Sequence, residues 1–124
     1  VLINMSTLNI TGQRLDILIR KGVDTGSITF SIKNDDGTLV NLGDFTATGA
    51  IYRNADKLKM VDWSISTPDE YHFSVNLTHE QLAELSTSSE DYPQYFHEIN
   101  LINGAGLITP FVYGDFVSVW SANP

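Results

Sequence analysis

The sequence predicts an all-β, antiparallel protein built as a sandwich or barrel with one short helix. Three observations carry that expectation. Apolar and polar residues alternate with period two over several short segments, and turn chemistry recurs between them at about ten-residue spacing. One segment alone changes to a helical period. The clearest alternation is Glu70 to Leu77, where Tyr71, Phe73, Val75 and Leu77 form one set and His72, Ser74 and Asn76 the other.

Length and composition set the bounds. A chain of 124 residues with 42% hydrophobic content supports one domain with one core. Residues 1–12 read as an N-terminal arm or edge strand, and residues 13–124 as a single domain. No apolar run approaches the roughly 20 residues of a membrane helix. Val1-Leu2-Ile3 has no basic flank, so no signal peptide is expected. There are no cysteines, which excludes disulfides, thiolate metal sites and thiol catalysis. The net charge of −8 and the scatter of the 7 basic residues argue against nucleic-acid binding, which needs a basic stripe to displace counterions.

The elements follow in chain order. Met5, Leu8 and Ile10 alternate imperfectly, and Thr11-Gly12 ends the arm. Leu15, Ile17 and Ile19 face one side of a strand from Arg14 to Lys21. Ile28, Phe30 and Ile32 alternate with polar neighbours up to Asn34-Asp35-Asp36-Gly37, a hairpin turn from which Leu39, Val40 and Leu42 return. Thr46 to Arg53 is a strand in which Gly49 marks a bulge or close packing beneath a large ring. From Lys57 to Ser66 the apolar register changes phase, from Leu58 and Met60 to Val61, Trp63 and Ile65. Thr67-Pro68-Asp69 reads as a turn. Thr78 and Gln81 have capping-box spacing, and Leu82 and Leu85 form one stripe of a helix of about two turns. Ser86 to Pro93 is a polar loop and Gln94 to Ile102 a strand. Asn103 to Gly106 is a turn, Pro110 suggests an edge or break, and Phe116 to Ser121 is the last strand.

Chemistry-bearing residues are few. His72 and His97 lie on expected strands and could bind zinc with a carboxylate such as Glu98 or Asp62. Adjacent residues alternate faces, however, so His97 and Glu98 should point apart and the pair reads as strand histidines. His79 reads as a solvated side chain in the first helical turn. Asn34, Asp35, Asp36, Gly37 and Asp44 could suggest calcium, but lack EF-hand spacing and read as turn residues. No nucleophile elbow and no phosphate-binding glycine loop occurs. The chain therefore reads as non-enzymatic, with no cofactor and no metal. Tyr52, Trp63, Tyr92, Tyr95 and Trp120 are candidate exposed aromatics for stacking on sugar or for protein contact.

The order of elements carries a resemblance. A strand ending at Arg20-Lys21-Gly22 leads into Ser27-Ile28-Thr29-Phe30-Ser31-Ile32-Lys33 and Asp35-Asp36-Gly37-Thr38-Leu39-Val40-Asn41-Leu42. Phe45-Thr46-Ala47-Thr48-Gly49-Ala50-Ile51-Tyr52-Arg53 follows, then Phe73-Ser74-Val75-Asn76-Leu77-Thr78 before Gln81-Leu82-Ala83. Tyr113-Gly114-Asp115-Phe116-Val117-Ser118-Val119 closes the chain. Across residues 14–120 this resembles the small immunoglobulin-like β-sandwich domains of tailed-phage virion proteins, including the N-terminal domains of baseplate upper proteins. Ser86 to Gln94 is longer than that pattern, and the usual closing Gly-x-Val-x-Val is altered. The resemblance implies an antiparallel immunoglobulin-like β-sandwich acting as a virion structural protein, assembled in the host cytoplasm. Its partners would be other virion proteins or copies of itself, with homo-oligomers expected and neither nucleic acid nor membrane bound. Leu8 and Ile10 in the arm, with Tyr92 and Tyr95 in and after the long loop, are then the expected protein contacts. The alternative is a carbohydrate-binding or adhesion module in which Trp63, Tyr92 and Trp120 stack on sugar.

Overall fold

Alternation sorts the side chains of the longer strands into two faces, and that sorting dictates how the chain layers. A computed structural model describes residues 12–21, 28–89 and 91–120, and the backbone alone of Trp120. Among these residues nine strands and one helix follow in order: β1 Gln13–Arg14, β2 Ile17–Lys21, β3 Ile28–Phe30, β4 Thr46–Arg53, β5 Lys59–Asp62, β6 Ser64–Asp69, β7 His72–Asn76, α1 His79–Ala83, β8 Tyr95–Ile102 and β9 Ile108–Trp120. One sheet has the order β1-β9-β8-β4-β5, with β2 also on β9, and the other the order β3-β7-β6. These are the G-F-C-C′ and B-E-D orders of an immunoglobulin sandwich. The expected fold class is the observed one.

Two pairings depart from the antiparallel expectation. Both β1 and β2 run parallel to β9, through Gln13↔Val112 and Ile17↔Phe116. Local alternation states which residues share a face, and it carries no information on the direction of a partner about a hundred residues away. The strand expected from Arg14 to Lys21 is also interrupted at Leu15 and Asp16. There the Asp16 carboxylate, rather than a backbone carbonyl, accepts from the Asp115 N–H at 2.9 Å.

The phase change after Met60 has a structural cause. Ile51 pairs with Val61 but Tyr52 with Lys59, so Met60 is the extra residue of a β-bulge in β5. From Val61 the inward register runs on through Trp63, where the chain crosses from the large sheet to the small one, to Ile65 on β6. Trp63 is 5% exposed at that crossing. Its backbone N–H donates to the Gly49 carbonyl at 3.0 Å, and its ring meets Phe116 edge-on at 5.9 Å. At one end of the core Phe30, Phe73 and Phe111, from β3, β7 and β9, join the two sheets. Their centroids lie 5.2 to 5.5 Å apart.

Proline and turn positions shift slightly from expectation. Thr67-Pro68-Asp69 is the end of β6, and the turn falls at Glu70–Tyr71. β6 is an edge strand with a register shift between Ser66 and Asp69, where a missing N–H is tolerated. Pro110 lies inside β9, at a register shift opposite Ile99 and Asn100, and β1 joins β9 only from Val112 onward. The Asn34–Gly37 turn forms, with Gly37 at φ +89°, but its hairpin holds one isolated bridge, Lys33↔Leu39. β3 takes its ladder from β7 instead, which buries Phe73 and Val75. Helix α1 spans five residues, with the Gln81 N–H on Thr78 Oγ1 at 3.1 Å and the Thr78 N–H on Gln81 Oε1 at 2.9 Å.

A methyl group at Gly49 would stand 2.5 Å from the Glu98 carbonyl oxygen and 2.9 Å from Trp63 Cδ1. Gly49→Ala should therefore cost about 1–3 kcal/mol by overpacking. Gly104→Ala, with no atom within 4 Å of the added carbon, should change stability by less than about 0.5 kcal/mol. Urea denaturation of both variants checks this, and equal losses would remove the steric reading of Gly49.

Candidate functional site

Strand β8 divides the aromatic residues between holding the fold and facing outward. Tyr95, His97, Ile99 and Leu101 are buried, while Phe96, Glu98, Asn100 and Ile102 are half-exposed on the other face. His97 and Glu98 do point apart.

Tyr95 starts β8 and turns inward, where its hydroxyl accepts from the Ser86 N–H at 2.8 Å. This is the arrangement of a tyrosine corner, a ring at the start of the F strand bonded to backbone upstream. Tyr95 is 3% exposed, so its expected role as a protein contact does not hold. Trp63 is likewise removed from any sugar-stacking platform, because the sheet crossing buries it. Both corrections have one cause: period two tells which residues share a face, and cannot tell which face is inward when rings stand on both. Tyr92 is 83% exposed. Leu8, Ile10 and the Trp120 side chain lie outside the described residues.

Two residues beyond Tyr95, the His97 imidazole is fully buried, with Nε2 2.6 Å from the Leu15 carbonyl oxygen. The Trp63 ring stands perpendicular to it at 6.1 Å. Burial holds the imidazole below its ordinary pKa, outweighing the Leu15 carbonyl and the Asp16 and Asp115 carboxylates, which favour the charged form. Neither His97 Nδ1 nor Trp63 Nε1 has a hydrogen-bond partner among the described residues.

The outer face of the large sheet carries two half-buried rings, Tyr52 and Phe96, and the exposed Tyr113. Tyr52 and Phe96 sit opposite each other on β4 and β8 with rings stacked at 5.1 Å, and Lys57 Nζ lies 5.1 Å from the Phe96 centroid. On β9, Asp115 lies opposite Phe96 and Tyr113 opposite Glu98; Tyr113 is 45% exposed. Arg14, beside Tyr113, bridges Asp16 at 3.1 Å and Asp115 at 3.0 Å. Asp16 is held below the ordinary carboxylate range, first by the Asp115 N–H and then by Arg14. Lys59 and Asp62 pair at 3.2 Å along β5. The result is a face on which aromatic and charged residues interleave, and no expectation from sequence assembled it. Tyr52 alone was among the candidate exposed rings. Phe96 reads as an ordinary strand residue and Tyr113 stands ahead of the expected last strand, whereas β9 in fact begins at Ile108.

His72 lies elsewhere, on the small sheet, where Nδ1 is 2.8 Å from Asp69 Oδ1; this contact is the chief cause holding Asp69 below its ordinary pKa. The pair borders a crevice of about 270 Å³ floored by Leu42, Phe45, Phe73 and Leu101. His72 and His97 are thus on different sheets, and no group of three His, Asp or Glu among the described residues is placed to hold a metal. Asn34, Asp36 and Gly37 form the hairpin turn, where the Thr38 N–H and hydroxyl occupy Asp36 Oδ1. No helix among the described residues is long and apolar enough to cross a membrane.

No family model matches the chain, and no curated protein matches it either.

Tyr95→Phe removes the acceptor for the Ser86 N–H while keeping the ring. It should lower stability by about 1 kcal/mol, read as a shift in urea midpoint with an unchanged slope. An unshifted midpoint would mean that the corner bond is replaced by water at no cost.

Proposed function

We propose that this chain is a non-enzymatic structural component of a phage or prophage-like virion, acting by protein–protein assembly with copies of itself or with other virion proteins. The virion setting, with assembly in the host cytoplasm, rests on the resemblance of residues 14–120. The mode of action rests on the outer face of the large sheet. There Tyr52, Phe96 and Tyr113 stand among Lys57, Lys59, Asp62, Glu98, Arg14 and Asp115. Aromatic residues and Arg are the side chains enriched in specific protein interfaces. The immunoglobulin-like architecture by itself hosts many functions and adds no specificity.

A carbohydrate-binding reading keeps one favourable observation, the exposed Tyr92 ring. With Trp63 in the core, a platform of several rings no longer supports it.

The mass of the purified full chain in solution, by light scattering over a concentration series, tests assembly. The expected result is an oligomer heavier than the 13.7 kDa chain that Tyr113→Glu shifts toward monomer. Tyr113 is exposed, so the substitution should leave the fold intact. A monomer at every concentration, with or without the substitution, would overturn self-assembly through this face, and binding on a glycan array would then favour the carbohydrate reading.

A further inference from the structure

We propose that His97 is an acid-sensitive latch that holds the edge segment Gln13–Lys21 onto the sandwich. The segment lies at the edge of the large sheet, where the ladders of β1 and β2 both run to β9. Between these two short ladders the Leu15 carbonyl turns inward over Gly114 and accepts a hydrogen bond from His97 Nε2–H. The approach is close enough that a Cβ at Gly114 would stand 2.4 Å from the Leu15 oxygen. Leu15 also donates its N–H to the Tyr113 carbonyl at 2.7 Å. One side chain from the core thus replaces part of the interrupted ladder.

The bond fixes the tautomer. Donation to a carbonyl requires hydrogen on Nε2, which leaves Nδ1 of the neutral ring a buried lone pair. Protonation would put a second N–H there, where Nδ1 has no acceptor among the described residues. It would also place a positive charge at a position with no exposure to solvent. The charged groups facing His97 are Asp16, from the interruption itself, and Asp115 on β9; Arg14 is paired with both. Ile51 opposite it on β4, Phe116 on β9 and Trp63 at the sheet crossing bring no charge. The two carboxylates favour the imidazolium, and burial outweighs them.

The least costly way to hydrate a protonated His97 is to lift the edge segment, because edges open locally at lower free energy than central strands. β4, β8 and β9 stay paired while water reaches Nε2. The sign follows by linkage: the open form titrates near the ordinary 6.5 and the closed form lower. The closed form is therefore fully favoured above pH 6.5 and loses stability as pH falls from there toward the closed-form value. Asp16 does not contribute in this window, being held below the ordinary carboxylate range. The open form presents the freed edge of β9 to an added strand, the geometry of strand-addition assembly.

Hydrogen exchange of the full chain between pH 7.5 and 5.5, corrected for intrinsic rates, tests the latch. Protection of Ile17–Lys21 and of their β9 partners should fall by up to about tenfold per pH unit below 6.5, the limit for one linked proton. Protection of β4 and β7 should not change. His97→Gln keeps a donor and an acceptor and cannot titrate, so its edge protection should be flat over the same range. Nitrogen shifts of His97 in the unmodified protein supply a second readout that needs no variant, with Nε2–H neutral and the midpoint below 6.5 expected. The latch is overturned by a pH-independent edge in the unmodified protein, by equal acid loss in His97→Gln, by parallel loss in β7, or by an ordinary His97 midpoint.

Discussion

The burial of Trp63 is the contact on which the two-layer arrangement depends. The indole stands where the chain passes from one sheet to the other, so its position fixes where the large sheet ends and the small one begins. Its backbone N–H is bonded to Gly49, its ring lies over the same glycine, and Phe116 and His97 meet it edge-on. β4, β8 and β9 are thereby tied to the connection between β5 and β6. The arrangement requires that position 49 carry no side chain and that the inward parity set by the bulge at Met60 continue from Val61 through Trp63 to Ile65. Both requirements are written in the sequence, at Gly49 and in the shift from Met60 to Val61.

Legibility in the sequence follows the range of the interaction. β4, β7, β8, the capping box of α1 and the Asn34–Gly37 turn are local, and alternation or spacing announces each of them. The parallel attachment of β1 and β2 to β9 joins residues about a hundred positions apart, and nothing in either segment signals its direction. The faces of rings were half legible. Tyr95 and Phe96 are neighbours, so one must point in and the other out, yet composition alone does not choose between them. Trp63 shares an apolar register with Val61 and Ile65 and is also a candidate exposed ring; the structure buries it. The mixed aromatic and charged surface of the outer face is invisible until β4, β8 and β9 are in register, since its members come from three separated segments.

The absence of cysteine makes the position of His97 informative. In antibody domains the residue two beyond the corner tyrosine is a cysteine of the disulfide joining the two sheets. Here that position holds an imidazole, and the chain has no cysteine at all. A disulfide acts largely by restricting the unfolded chain, by about 2–4 kcal/mol, and an imidazole cannot do so. His97 instead supplies a directed bond to Leu15 and an edge-on contact with Trp63. Cohesion between the sheets then falls to aromatic contacts, with Phe30 and Phe73 of the small sheet meeting Phe111 of the large one.

These core bonds also determine what the surface offers. A slip of one residue in β8 would carry Tyr95 and His97 outward and bring Phe96 and Glu98 into the core. Apolar burial discriminates weakly between the two registers, because each face of β8 carries a ring and aliphatic residues. Polar bonds discriminate strongly: only the observed register lets the Tyr95 hydroxyl meet Ser86 and the His97 Nε2–H meet Leu15. With that register set, Phe96 falls opposite Tyr52 and Glu98 opposite Tyr113, and the outer aromatic face exists. The inward bonds of Tyr95 and His97 are thus what places the contact residues outward.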